Sequence, residues 1–283
     1  YGYSQLNLSG GEPTLHAGFD KIVSTAIDLG MRVSVITNGW RSSLATIDRL
    51  SRCHTVAVSI DGPRTVHDHL RQRQGSFDAA LRTVAELAAR DQSVGIVSCV
   101  TESTMDFIPE LWELAASLGA ALLQFRPIAP VGRAAENDSL RLPLLDRLAV
   151  VAAALGSIGD GPRVQCDLIG TQRLLRGITS LVEEFQIGEM AQLLSPLVID
   201  EHGSLRPYSY NLRGHDLGTI DALRDGSFRP TFERWRSAAI ELHERTAAAT
   251  RASDSNFVDW FELLVRVSQR SSGTPVSVQM PGL

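Results

Sequence analysis

Residues 6–13 read LNLSGGEP and join an alternating apolar strand to two glycines, a carboxylate and a proline. Adjacent glycines lack the Cβ atoms that keep a bound molecule away from the backbone, so the last amides of the strand become reachable. Glu12 adds an anion there, and Pro13 suits the first turn of a helix, where its missing N–H needs no partner. The pattern predicts a site for a cationic group at a strand-to-helix turn. An ordinary turn with an exposed glutamate is the alternative interpretation.

The same arrangement of an apolar strand with a polar end recurs along the chain. Apolar runs typical of strands lie at residues 32–36, 55–60, 93–100 and 121–125. Amphipathic periodicity predicts helices between them, for example over residues 19–27 and 108–118. Alternating strands and helices indicate parallel strands joined by right-handed crossovers. In barrels of this kind ligands bind at the carboxyl ends of the strands, where the polar clusters lie.

Composition is that of an ordinary globular protein, with 283 residues, 43% hydrophobic and 21% charged. A net charge of −5 predicts neither a nucleic-acid nor an anionic-membrane partner. No apolar run has the length of a spanning helix and no signal peptide is visible, so we expect a cytoplasmic protein. Cys53, Cys99 and Cys166 are far apart in sequence and predict no metal site.

Several motifs, in consistent order over residues 1–134, resemble the radical S-adenosylmethionine (SAM) enzymes, in particular the branch that matures peptides and sulfatases. They are GGEP at 10–13, TNG at 37–39, VSIDGP at 58–63 followed by His67, Asp68 and Arg71, GSFD at 75–78, and QFRPIAPVGRA at 124–134. Motifs in this order and spacing are specific. His67 and Asp68 are interpreted as turn and helix-cap residues.

The resemblance implies roles for the first strand ends. Gly10, Gly11 and Glu12 would receive the amino group of the methionine part of SAM, since a carboxylate suits an ammonium. Thr37 and Asn38 lie at a strand end that often touches the ligand, although Asn-Gly is also an ordinary turn.

The resemblance also assigns the remaining contacts to SAM. Ser59 would approach the ribose, and Asp61 would shape the strand end. Arg71 would take the methionine carboxylate through its two-pronged guanidinium. Groups near Ile128 would border the adenine. The pattern assigns no catalytic acid or base.

In this family a [4Fe–4S] cluster supplies the electron that cleaves SAM to methionine and a 5′-deoxyadenosyl radical, which abstracts hydrogen from the substrate. The resemblance therefore implies SAM and a cluster as cofactors, and an electron donor such as flavodoxin or ferredoxin. A ribosomally made peptide is the first candidate substrate.

One departure from the family concerns the cluster. Its three ligands come from a CxxxCxxC loop after the first barrel strand, and that loop is absent from this chain. We expect a barrel that lacks its first βα unit by truncation, with the cluster ligands outside this chain. Natural loss of the cluster is the rival interpretation.

Beyond the barrel, residues 197–208 predict a β-hairpin. It resembles the C-terminal (SPASM) domain that carries auxiliary clusters, but Tyr208 stands in a cysteine position and cannot ligate one. The expected fold is α/β, a partial (β/α)6 TIM-like barrel plus a small α+β domain with a hairpin. The expected divisions are a barrel over 1–134, a hairpin domain without cluster cysteines over 140–227, C-terminal helices over 228–270 and a disordered tail over 271–283.

Two other functional classes compete with this interpretation. A Schiff-base aldolase needs a lysine at a strand end, and the single lysine, Lys21, lies within the first helical stripe. A non-catalytic module that holds a peptide or a partner is the alternative function, and the iron content of the protein would separate it from an enzyme.

Overall fold

A computed structural model describes residues 3–40, 42–128, 144–187, 197–208, 212 and 215–269. Its described residues form two compact units, one extending to residue 167 and the other from residue 168 onward. The segment 129–134 that contributes to the family resemblance, and the predicted tail at 271–283, lie outside the described residues. Within the described part, no helix is both long and apolar enough to cross a membrane.

The first unit is built on a six-stranded parallel sheet with the strands in chain order. The strands are β1 Gln5–Leu8, β2 Arg32–Thr37, β3 Thr55–Ser59, β4 Val94–Val100, β5 Leu122–Pro127 and β6 Arg163–Cys166. The expected α/β partial barrel is therefore confirmed. The central strands β3 and β4 are buried along most of their length, which explains their nearly continuous apolar sequences.

Helices cover the connections between these strands. They are α1 Phe19–Asp28, α2 Leu44–Leu50, α3 Arg64–Leu70, α4 Ser76–Ala88, α5 Ile108–Ser117 and α6 Leu145–Gly156, with short 3₁₀ turns at Pro13–Leu15 and Glu102–Phe107. In α1 the residues Phe19, Val23 and Ala26 are buried at helical spacing, so one stripe faces the sheet.

The division between the two units differs from the one expected from sequence. The predicted boundary at 134–140 lies too early, because β6 pairs with β5 in the same parallel sheet and residues up to 167 belong to the first unit. Partners of a strand are chosen by the rest of the sheet, and a four-residue strand carries little sequence signal of its own.

The second unit contains the predicted hairpin and the C-terminal helices. Its elements are α7 Thr171–Ile187, β7 Ile169–Gly170, β8 Val198–Ile199, β9 Leu205–Arg206, α8 Ile220–Asp225, α9 Phe228–Arg251, β10 Phe257–Val258 and α10 Trp260–Gln269. Strands β8 and β9 pair antiparallel, which confirms the hairpin. Hairpin and helix residues share one core, including Leu205, Phe232 and Trp235, so residues 197–227 and 228–269 are not separate compact units.

Candidate functional site

The first centre of the site is the carboxylate of Glu12, just beyond β1. Its Oε1 atom accepts hydrogen bonds from the Thr14 hydroxyl at 2.7 Å and the Thr37 hydroxyl at 2.8 Å. Its Oε2 atom accepts a hydrogen bond from the Asn38 backbone N–H at 2.7 Å. The carboxylate is half-buried and held in one orientation at the junction of β1 and β2.

Thr37 and Asn38 lie beside the Glu12 carboxylate at the end of β2. Thr37 is almost fully buried, and its hydroxyl donates to Glu12 while accepting from the Gly39 backbone N–H at 3.1 Å. The side-chain oxygen of Asn38 accepts from the Trp40 backbone N–H at 2.9 Å. Both residues therefore orient the carboxylate and shape the turn after β2.

The two glycines before Glu12 leave the backbone open. Gly10 has a φ of +119°, a conformation that side chains rarely adopt, and a Cβ atom placed there would meet nothing within 4 Å. Both Gly10 and Gly11 are exposed. A ligand can therefore approach the backbone next to the fixed carboxylate.

The second centre is an ion pair between Asp61 and Arg71 beyond β3. Arg71 donates from Nε to Asp61 Oδ2 at 2.6 Å and from Nη2 to Oδ1 at 3.1 Å, which is a two-pronged contact. Asp61 Oδ1 also accepts from the backbone N–H of Cys99 on β4 at 2.9 Å. The Asp61 side chain is 3% exposed and that of Arg71 is 33% exposed. The pair therefore joins a buried carboxylate to a guanidinium that reaches the surface.

The charges of the two centres influence each other. Burial opposes the charge of Arg71, but the Asp61 carboxylate, with a smaller contribution from Glu12, raises the Arg71 pKa above its ordinary value. Glu12 and Arg71 therefore lie within electrostatic reach. One offers a negative group and the other a positive group along the same edge of the sheet.

His67 has a role that sequence reasoning missed, since it was interpreted as a turn residue. Its ring is buried, and Nδ1 accepts a hydrogen bond from the Asp61 backbone N–H at 3.1 Å. Burial, opposed by the charge of Asp61, lowers its pKa. The ring is therefore neutral with its proton on Nε2, and the 3.7 Å separation between Nδ1 and Asp61 Oδ2 is not an ion pair. A histidine six residues after a strand-end aspartate is the only local signal for this contact.

Asp68 caps a helix, as expected. Its carboxylate accepts from the backbone N–H groups of Gly75 and Phe77 and from the Ser76 hydroxyl, at 2.7 to 2.8 Å. These groups form the start of α4, whose first amides need partners outside the helix.

Ser59 and Ile128 extend the site along the sheet. Ser59 ends β3 and is 8% exposed. Ile128 follows β5, is half-buried, and donates its backbone N–H to Val100 at 2.9 Å. The predicted site residues thus lie in chain order along one edge, at the carboxyl ends of β1, β2, β3 and β5.

The cysteines do not form ligands for an iron–sulfur cluster. Strand register places Cys99 beside Arg126 and Cys166 beside Phe125, so these two thiols face opposite sides of the sheet. Cys53 is buried before the amino end of β3. Burial raises the pKa of Cys53 and that of Cys99 to about 11, which disfavours the thiolates a cluster needs. Among the described residues, no group of three or more His, Cys, Asp or Glu side chains could hold a metal ion.

The remaining arrangement fits the amino-acid part of a ligand. A fixed carboxylate suits an ammonium, a guanidinium suits a carboxylate, and the open glycines allow contact with the backbone. SAM carries both charged groups on its methionine part, so the described residues fit SAM but not the cluster.

Comparison with protein families matches residues 1–113 to the radical SAM superfamily. The sporulation killing factor maturation protein SkfB of Bacillus subtilis is 34% identical over 141 residues, which cover 48% of this chain and 34% of SkfB. The mycofactocin maturase MftC of Mycobacterium tuberculosis is 33% identical over 266 residues, which cover 89% of this chain and 63% of MftC. The chain therefore spans less than two thirds of the length of these relatives.

A solved structure supports the fold. Native anSMEcpe with bound AdoMet and the Kp18Cys peptide has a TM-score of 0.60 at 20% identity, covering 94% of this chain and 75% of that chain. The parallel sheet, the motifs at its carboxyl edge and the family match agree. Residues 1–113, which carry strands β1 to β4 and the motifs at their carboxyl ends, are therefore identified as a radical SAM domain.

Proposed function

We propose that the carboxyl edge of the sheet binds SAM, and that the protein belongs to a radical SAM enzyme that modifies a peptide. Gly10, Gly11 and Glu12 receive the ammonium of the methionine part. Ser59 approaches the ribose, and groups at Ile128 border the adenine. Thr37 and Asn38 act through Glu12, which they hold in place.

The observation that carries this proposal is the fixed carboxylate of Glu12. Its two oxygens accept from groups on both sides of the turn, while Gly10 has open space at its Cβ position and Gly11 is exposed. The half-buried carboxylate is held by Thr14, Thr37 and Asn38 before any ligand arrives, so little further conformational entropy is lost when a cation binds to it. A preorganised anion next to an accessible backbone suits recognition of an ammonium.

Arg71 supplies the second contact to the methionine part. Two of its nitrogens are used by Asp61, and within the described residues no group accepts from Nη1. The methionine carboxylate would therefore contact Arg71 through Nη1, while Asp61 keeps the guanidinium in position.

The described residues account for SAM binding and not for radical generation. In this family a [4Fe–4S] cluster supplies the electron for SAM cleavage, and an electron donor such as flavodoxin or ferredoxin reduces it. The cysteines of this chain do not fit that cluster, so no step of the cleavage is assigned to them.

A peptide substrate is supported by the relatives, since SkfB and MftC are named as maturation proteins and anSMEcpe was solved with a peptide. We infer that the hairpin of the second unit is a SPASM-like scaffold without metal. In that unit Tyr208 is 8% exposed and packs against the rings of His215 and Trp235, at 5.7 and 6.2 Å between centroids. A buried tyrosine in the cysteine position fits a packing role there.

Calorimetric titration tests the SAM site directly. The chain should bind SAM more tightly than 5′-methylthioadenosine, which keeps the adenosine but lacks the amino-acid part. Equal affinities, or no binding of SAM, would contradict the proposed contacts. The non-catalytic alternative predicts no dependence on the amino-acid part.

A further inference from the structure

A second polar cluster lies across β5 and β6, apart from the residues assigned to SAM. Asp167, directly after β6, accepts from Gln124 Nε2 through Oδ1 and from Arg126 Nε through Oδ2, each at 2.7 Å. The Asp167 backbone N–H donates to Phe125 at 2.9 Å and fixes the residue against β5. Both carboxylate oxygens are therefore engaged, and the position of the Arg126 guanidinium is set by Asp167.

The outer edge of that guanidinium is available. The Arg126 side chain is 48% exposed, and no residue in the described part of the chain accepts a hydrogen bond from its Nη1 or Nη2 atoms. These two nitrogens carry parallel N–H donors whose spacing matches the two oxygens of a carboxylate. Because Nε is already held, less conformational entropy is lost when an anion binds.

The register of the sheet places Arg126 beside the proposed SAM site. Arg126 pairs with Cys99 across β4 and β5, and Gln124 pairs with Val97, which in turn lies beside Ser59. Neighbouring residues of parallel strands point to the same face, so Arg126 shares the face of Ser59 and Asp61. β5 is two strands from β3, which is a separation of about 10 Å.

We propose that Arg126, positioned by Asp167, binds a carboxylate of the peptide substrate next to SAM. This inference rests on the proposed function. A peptide offers two kinds of carboxylate, an acidic side chain and its C-terminus, and both have the chemistry that the guanidinium recognises. The SAM carboxylate is assigned to Arg71. In the order of the strands, Arg71 after β3 lies nearer to Glu12 after β1 than Arg126 on β5 does.

Three small probes separate these sources in the presence of saturating SAM. N-acetyl-L-aspartate α-methylamide carries a side-chain carboxylate, N-acetyl-L-alanine carries a terminal one, and N-acetyl-L-asparagine methylamide is neutral. Binding is followed by NMR of ¹⁵N-labelled arginine side chains. At least one acid should bind about tenfold more tightly than the neutral amide, as expected for a charge-assisted contact.

Matched variants locate the contact. Arg126→Gln should remove the preference for the acid and leave SAM affinity within about twofold of the parent. Arg163→Gln is the control. Arg163 is exposed and begins β6, the strand that ends just before Asp167, and it lies on the face of Leu122 and Gln124. It should keep the preference.

The outcomes separate this inference from the proposed function. If the parent binds SAM but prefers neither acid, the carboxylate site is wrong and the SAM site stands. If Arg126→Gln weakens SAM tenfold, Arg126 belongs to the SAM site and the inference is overturned. If the parent fails to bind SAM, the proposed function falls, and the acid titrations repeated without SAM still decide whether Arg126 holds a carboxylate.

Discussion

The Oε2 atom of Glu12 lies 2.7 Å from the backbone nitrogen of Asn38 and accepts its hydrogen bond. The contact joins the chain after β1 to the turn after β2. It fixes the direction of the carboxylate and is the one hydrogen bond that Oε2 accepts within the described residues, whereas Oε1 accepts from the Thr14 N–H, the Thr14 hydroxyl and the Thr37 hydroxyl. Because each carboxylate oxygen has two lone pairs, Oε2 can accept a further bond from a ligand. A charged ligand that meets this carboxylate finds it already oriented.

Replacing Glu12 by Gln should weaken SAM binding about ten- to a hundredfold, since a hydrogen bond to a charged group contributes about 1.5–3 kcal/mol. Gln keeps the size and an oxygen acceptor for Asn38, so the fold should be retained. Calorimetric titration measures the change. Glu113→Gln, on the exposed face of α5, is the control and should bind SAM like the parent. Parent-like binding by Glu12→Gln would refute the ammonium contact.

Arg71→Ala should also weaken SAM binding about ten- to a hundredfold and should lower stability, because Asp61 would be left buried without its partner. Denaturant unfolding should show a loss of about 1–3 kcal/mol. Arg64→Ala is a matched control on α3, since Arg64 pairs with the exposed Asp78 and such surface pairs contribute about 0–1 kcal/mol. If Arg71→Ala bound SAM as tightly as the control Arg64→Ala, Arg71 would have only a structural role.

Anaerobic reconstitution with iron and sulfide should leave this chain without a [4Fe–4S] cluster. The reason is geometric, because Cys99 and Cys166 face opposite sides of the sheet and Cys53 lies near the amino end of β3. Iron and sulfide analysis and the visible absorption spectrum measure the result. Near-stoichiometric iron with a charge-transfer band would show that these cysteines can converge, and Cys99→Ser would then identify the ligand.

The second unit should lose stability in mild acid because of His243. Burial lowers the pKa of His243 from 6.5 to about 4. The unfolded chain therefore binds the proton more readily than the folded one, and stability is lost as the pH falls from about 6.5 towards 4. At pH 5 this residue alone should account for about 2 kcal/mol.

Denaturant unfolding at pH 7 and pH 5, followed by tryptophan emission, tests this dependence. The Trp260 ring lies 5.4 Å from that of His243, so the emission reports on the same core. His243→Phe should reduce the difference between the two pH values, whereas His54→Gln, at an exposed position, should not. An unchanged difference in His243→Phe would assign the acid sensitivity to other groups, such as the buried His67 and His215, whose pKa values are also lowered by burial.

Much of the sheet was predictable because buried parallel strands have nearly continuous apolar sequences. The runs predicted at 55–60 and 93–100 correspond to β3 Thr55–Ser59 and β4 Val94–Val100. The pattern of local residues was also enough to place Glu12 at a strand end beside open glycines. These features depend on the chain within a few residues of each position, so a single sequence contains them.

Other features depended on contacts that no local pattern records. β6 joins the first sheet because β5 offers it a partner, which moved the boundary of the first unit to residue 167. The His67 ring, on the next helix, accepts a hydrogen bond from the Asp61 backbone N–H, and the local sequence around His67 is that of a turn and does not record this contact.

The sequence by itself therefore determined the parallel α/β sheet, the hairpin and the polar carboxyl edge, since strand period, glycine and proline act locally. Only the tertiary structure decided how the charges at that edge are paired. Three hydrogen-bonded pairs show this. Glu12 and Asn38 are 26 residues apart in sequence, Arg71 and Asp61 are 10 apart, and Asp167 and Arg126 are 41 apart. These pairs are selected by strand register and by the burial of each carboxylate, because the interaction between two charges depends on their separation in space and on the surrounding dielectric and not on their separation along the chain.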